Sequence, residues 1–124
     1  MTVNGVAVAL LGLLYVLHAF GPTEAEVVTW GMVSICLGLV LALLSAMAVP
    51  GNKASVRWLL LSGYTAAAVL QVIPILLWFL FHGSGISDGT PPSVFVAHWG
   101  YAIPHLVLLI TSLMVVGSLF RRMR

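Results

Sequence analysis

Four long stretches of apolar residues alternate with short polar stretches along the chain. The apolar stretches cover about residues 3–20, 24–49, 55–82 and 94–120. Each is near or above the roughly 20 residues that a helix needs to cross about 30 Å of hydrocarbon. Strands of a small membrane barrel would alternate polar and apolar residues instead. The pattern therefore predicts an all-α membrane protein, a four-transmembrane-helix bundle formed by residues 1–124 as a single domain.

Composition agrees with this prediction. The 124 residues are 61% hydrophobic and only 6% charged, whereas a soluble domain carries about 25% charged residues. Such a chain cannot cover a surface that faces water, so its main partner is expected to be the lipid bilayer. The basic residues form no patch with interleaved aromatic residues, which argues against nucleic acid as a partner.

The few charged side chains are distributed asymmetrically and predict an orientation. All three acids fall between helices 1 and 2 or between helices 3 and 4: Glu24, Glu26 and Asp88. All five basic residues fall between helices 2 and 3 or after helix 4: Lys53, Arg57, Arg121, Arg122 and Arg124. The positive-inside rule then places both termini of this multi-pass integral membrane protein on the cytoplasmic side.

Small residues indicate which helices pack closely. Rows at four- or seven-residue steps occur on two helices: Gly31, Gly38 and Ser45 on helix 2, and Gly63, Ala67, Ser62 and Ala66 on helix 3. Because lipid gives no hydrophobic reward for helix association, close approach of backbones needs such residues. These rows predict a tight hairpin between helices 2 and 3.

Polar residues at membrane depth are the first candidates for a functional site. Gln71 on helix 3 and His105 on helix 4 each lie roughly 16 Å below the outer ends of their helices. Tyr64 shares a helix face with Gln71, and Tyr101 lies near the face of His105. The favoured interpretation is that Gln71 and His105 bond to each other and lock two helices together. The alternatives are a binding site for a small ligand, a quinone or a proton, made by these four residues, and contacts with another subunit.

Two prolines lie close to this polar pair. Pro74 and Pro104 each leave one backbone carbonyl of their helix without its usual donor, at Leu70 and Gly100 respectively. The freed carbonyls are further acceptors for the side chains of the pair. The aromatic residues near the helix ends, Trp30 and Trp78 among them, are expected at the outer membrane boundary.

The histidines suggest a cofactor alternative. His18 and His98 fall at similar depth on different helices, as the axial ligands of a haem b would. Histidine also suits the membrane interface, because its ring packs in lipid while its nitrogens face water. The interfacial role is favoured, and no cofactor is expected. The one cysteine, Cys36, makes neither a disulfide nor a Cys-rich metal site.

These observations predict a protein that is not an enzyme. The chain contains no glycine-rich phosphate loop, nucleophile elbow or metalloprotease helix, and the charged residues of the apolar stretches lie only at their ends, outside the depth of the membrane interior. The leading hypothesis is a small non-catalytic accessory or structural subunit, whose partners are other membrane subunits or copies of itself. One alternative is a haem- or quinone-binding subunit of a redox complex. The second alternative is an oligomeric pore for small solutes, lined by Gln71, Tyr64 and His105.

Overall fold

The fold is all-helical over the residues that the computed structural model describes. These are residues 1–20, 24–48, 54–83 and 92–124, with side chains described for all of them except 79–83 and 92–99. Within these ranges the chain forms α1 (Thr2–Val16), α2 (Ala25–Met47), α3 (Ala54–Gly83) and α4 (Pro92–Met123). Three segments are long and apolar enough to cross a membrane: Ala25–Met47, Ala54–Trp78 and Gly100–Met123. The prediction of an all-α protein with membrane-spanning helices is confirmed at this level.

The first helix is shorter than the apolar stretch that encodes it. It ends at Val16, four residues before the predicted end, because His18 adopts a left-handed backbone conformation with φ 58°. The N–H groups of His18 and Ala19 donate to the carbonyls of Tyr15 and Leu14 at 3.1 and 2.9 Å. This is the Schellman arrangement, in which glycine is the usual left-handed residue. Apolar residues continue past Val16, so the hydrophobic pattern does not reveal where α1 ends.

The closest pair of helices is α1 with α2. A Cβ atom built on Gly12 would lie 2.5 Å from the carbonyl oxygen of Gly31, and one built on Gly38 would lie 2.5 Å from that of Gly5. The backbones of the two helices are thus in contact at two levels. The predicted tight hairpin between α2 and α3 is wrong, because the glycines of α2 face α1. A second extensive pair is formed by α3 and α4.

The two pairs meet around one apolar core. Leu41 of α2 fits against Gly63 of α3, where a Cβ atom would collide with its side chain. The core continues through Leu60 of α3, Val8 of α1 and Ala102 of α4, all of them buried. Only one of the two small-residue rows of α3 contributes to this core. The row that contains Gly63 faces α2, and the other row is exposed on the outside of the bundle.

Candidate functional site in the polar interior

The predicted contact between Gln71 and His105 is present. His105 Nδ1 lies 2.7 Å from Gln71 Oε1, and both side chains are completely buried. On the other side of the ring, His105 Nε2 lies 2.6 Å from the hydroxyl of Tyr15. One imidazole therefore joins α1, α3 and α4.

The hydrogen bonds have one direction that gives every contact in the chain a donor and an acceptor. Trp78 Nε1 donates to the Tyr15 hydroxyl oxygen at 2.8 Å. If Tyr15 then donates its own proton to His105 Nε2, the ring carries its proton on Nδ1 and donates it to Gln71 Oε1. A neutral imidazole, which has one donor and one acceptor nitrogen, fits this order. We call these four residues, Trp78, Tyr15, His105 and Gln71, the central network.

The carbonyl that Pro74 leaves free also has a partner. Trp30 of α2 donates its indole N–H to the carbonyl of Leu70 at 3.0 Å, and its ring packs edge-on against Tyr15 at 5.0 Å between centroids. Trp30 and Trp78 were expected at the membrane boundary. That prediction concerns depth in the bilayer and stays a prediction. Both residues lie near one end of their helices, and the structure adds that their indole N–H groups bond to other helices of the bundle.

Tyr64 belongs to a different part of the interior. Its hydroxyl contacts Ser45 Oγ at 2.8 Å and donates to the carbonyl of Met1 at 2.5 Å. Seven residues separate it from Gln71, which corresponds to about 10 Å along α3. Tyr64 and Gln71 share a face of α3, but this is not sufficient to bring their side chains together. The residues predicted to form one ligand site therefore lie in two separate parts of the interior.

Tyr101 packs beside the central network. Its ring packs against Trp78 at 5.1 Å and against Phe20 at 5.2 Å. These contacts place Tyr101 at the end of the network where α1 stops. Of the four predicted residues, two bond directly, one packs alongside them and one is remote.

The proposed haem ligands are only partly described. His18 is exposed at the left-handed end of α1. His98 belongs to α4, but its side chain lies outside the described residues. Ligation of a haem by this pair stays a prediction.

A second polar cluster was not predicted. The Asn4 amide donates to Ser112 Oγ at 3.0 Å and accepts from Thr111 Oγ1 at 2.6 Å, which joins the start of α1 to α4. The sequence did contain a signal, because Asn4 is an amide side chain inside an apolar stretch. Such a group at membrane depth needs a partner on another helix.

Two buried polar atoms have no partner among the described residues: Ser34 Oγ and Gln71 Nε2. Buried donors of this kind are usually satisfied by protein or ordered water. Chemically, the central network can hold helices together and can present the Gln71 amide N–H groups to an acceptor. It contains no carboxylate, thiol or basic amine. Its possible nucleophiles are the Tyr15 hydroxyl and the His105 imidazole, and both are hydrogen-bonded to neighbouring side chains.

No protein-family model matches the sequence, no curated protein matches it, and no solved structure matches the fold. The class is accordingly defined by the fold and the site alone. The chain is an integral membrane protein with an all-helical fold, three helices of membrane-spanning length and apolarity, and a buried polar network that joins α1, α3 and α4.

Proposed function

We propose that this protein is a non-catalytic, four-span membrane subunit that binds laterally to other transmembrane helices. Its partners would be the subunits of a larger assembly or further copies of the same chain. The observation that carries this proposal is an open groove of about 570 Å³ on the face of α3 that points away from the bundle. The groove runs from Trp58 to Ile73, and its floor is formed by Ser62, Thr65, Ala66 and Val69.

The groove has the features of a helix-packing surface. Ser62 and Ala66 are one helical turn apart, which is the small-xxx-small spacing that lets two backbones approach within a bilayer. The parallel row of Gly63 and Ala67 already fulfils this role toward the inside of the bundle. Thr65 donates its hydroxyl proton to the carbonyl of Leu61 at 2.7 Å, so covering the groove would leave that hydroxyl satisfied. A helix can fill such a surface more completely than mobile acyl chains can.

The interior supports a structural rather than a catalytic role. Apart from the Gln71 amide nitrogen, the polar groups of the central network bond to one another, and each bond across helices in a membrane contributes about 1 kcal/mol. The alternative of a pore between chains gains no support from this arrangement, since Gln71, Tyr64 and His105 are all completely buried within one chain. For the quinone alternative, the amide N–H groups of Gln71 are the donors that the central network leaves without a partner among the described residues. The complete burial of Gln71 favours the structural role instead.

The finer membrane topology is part of the proposal. We propose that α1 crosses the membrane with the other three helices, although its 15 residues span only about 22 Å. Asn4 near its start and Tyr15 near its end both bond to α4, so α1 lies beside the apolar part of α4 along its whole length. The basic end of the bundle then faces the cytoplasm, together with both termini.

The orientation predicts opposite labelling of two helix starts. In a Cys36→Ala background, a cysteine at Ala25 should react with a membrane-impermeant maleimide added to intact cells. A cysteine at Ser55 should react only after permeabilisation, because α2 begins on the outer side and α3 on the inner side. Both native residues are exposed, so neither substitution disturbs the core. Labelling of both positions from the same side would refute the four-span topology.

Filling the groove with a larger side chain should weaken lateral association. In Ala66→Leu, the added side chain occupies the floor of the groove, and we expect association to weaken by at least about tenfold, equivalent to 1.4 kcal/mol. Association is measured by energy transfer between labelled chains in liposomes and by co-purification of partner subunits from the native membrane. The fold should be unaffected, because Ala66 is exposed.

The matched control is Ala46→Leu, the same change at an exposed position of α2 outside the groove. It should leave association unchanged. Equal losses in both variants would show that the groove is not the contact surface. A wild-type chain that is monomeric in liposomes and purifies alone would refute the proposed function itself.

A further inference from the structure

A second surface feature lies at the basic end of the bundle, where α3 begins and α4 ends. A pocket of about 300 Å³ is lined by Ala54, Arg57, Trp58, Phe120, Met123 and Arg124. It is separate from the central network and shares only Trp58 with the groove on α3. Neither the interior polar groups nor the proposed lateral contact accounts for two guanidinium groups at one pocket.

The charges at this pocket are not balanced by acidic side chains nearby. Glu24 and Glu26, the acidic residues that the structure describes, lie at the start of α2, about 35 Å away along that helix. The guanidinium carbon of Arg124 sits 5.4 Å from the centre of the Phe120 ring. This cation–π contact holds one positive charge at the rim of the pocket.

The pocket walls are apolar and face the surroundings. The Trp58 and Phe120 side chains are 56% and 50% exposed, and Met123 completes the wall between them. Tryptophan with basic residues at a helix end is typical of the level of lipid headgroups. A ligand for this pocket would combine a negative charge with an apolar portion.

We propose that the pocket binds the phosphate headgroup of an anionic phospholipid. Guanidinium groups bind phosphate oxygens through paired hydrogen bonds, and Arg57 and Arg124 supply two of them. The glycerol and first methylene groups of the lipid lie against Trp58 and Phe120. The apolar walls make a membrane lipid, rather than free phosphate, the fitting source of the anion. The helix dipoles add little, because α3 begins and α4 ends at this pocket and their charges there are opposite, so the two arginines carry the attraction for the anion.

The test is lipid binding to the purified full-length chain in neutral detergent, measured by native mass spectrometry. The wild-type chain should retain phosphatidylglycerol at least about tenfold more tightly than phosphatidylcholine, because each basic residue adds to the attraction for an anionic lipid. The double variant Arg57→Gln with Arg124→Gln should lose this preference. Both side chains are exposed, and an unchanged unfolding midpoint without added lipid confirms that the variant folds.

The matched control is Arg122→Gln, which removes a charge at the same end of α4 but outside the pocket. It should keep the preference within about twofold. If Arg122→Gln alone loses as much as the double variant, the attraction is diffuse and the pocket is not a site. If inorganic phosphate displaces the lipid, or if wild-type protein does not distinguish the two lipids, the proposal is overturned. None of these outcomes depends on lateral association through α3.

Discussion

Replacing Gly38 by alanine is expected to force α1 and α2 apart and to lower the free energy of unfolding by about 3 kcal/mol. The new Cβ atom would lie 2.5 Å from the carbonyl oxygen of Gly5 and would also collide with the backbone N of Ala9. Backbone atoms cannot turn aside as the end of a flexible side chain can. The helices must therefore separate, and the packing along their whole interface is weakened.

The matched control for this prediction is Gly117→Ala on α4. No atom lies within 4 Å of the position that its Cβ would take, and alanine is the better helix former. Unfolding in detergent, followed by circular dichroism, should show a large loss for Gly38→Ala and none for Gly117→Ala. Similar stabilities of the two variants would mean that α1 and α2 do not make the close contact described here.

Replacing His105 by leucine is expected to lower the free energy of unfolding by about 2 kcal/mol or more. The change removes two buried hydrogen bonds, one to Tyr15 at 2.6 Å and one to Gln71 at 2.7 Å. It leaves the Tyr15 hydroxyl without its acceptor and the Gln71 carbonyl oxygen without its donor.

A double-mutant cycle with Gln71→Leu isolates the bond between the two residues. When both partners are apolar, no unpaired amide remains beside leucine, so the combined loss should be smaller than the sum of the single losses. The expected coupling is about 1 kcal/mol, as for other hydrogen bonds between transmembrane helices. Strictly additive losses in the detergent unfolding assay would contradict a direct bond.

The sequence was sufficient to predict the helices and one of the contacts between them. Long uninterrupted apolar stretches have few alternatives to helices. The bilayer interior contains no water to bond to the backbone N–H and C=O groups, so these groups must bond to one another within the segment. The Gln71–His105 contact followed from counting residues inward from the helix ends. Depth is well determined by the rise of a helix. The angular position of a side chain around the helix axis is not determined by the rise.

That missing angle explains why the partner of α2 was misassigned. Gly5 and Gly12 of α1 have the same seven-residue spacing as Gly31 and Gly38 of α2, and the structure pairs the two rows. Matching these spacings would have found the contact. Considering only the rows of helices 2 and 3 concealed it. The role of Tyr15 was missed for the same reason, since it depends on which face of α1 the glycines turn inward.

The bonding partners of Trp30 and Trp78 could not be inferred from general preferences. Tryptophan favours membrane boundaries because its indole N–H seeks a polar partner. In this fold the partners lie inside, at the Leu70 carbonyl and the Tyr15 hydroxyl. Their availability depends on a proline one turn away and on the end of another helix. Such acceptors are created only by the assembled tertiary structure.

The bond from Trp30 to Leu70 has a mechanical consequence. A proline within a transmembrane helix often acts as a hinge, because the missing backbone bond makes local bending easy. Here the indole N–H of Trp30 on α2 bonds to the Leu70 carbonyl, which Pro74 leaves without its backbone donor. Bending α3 at Pro74 would break that bond and expose the carbonyl oxygen to lipid. The segments on either side of Pro74 are thereby stiffened, and α2 moves with them. Any conformational change that requires α3 to bend at Pro74 would therefore have to overcome this additional bond to α2.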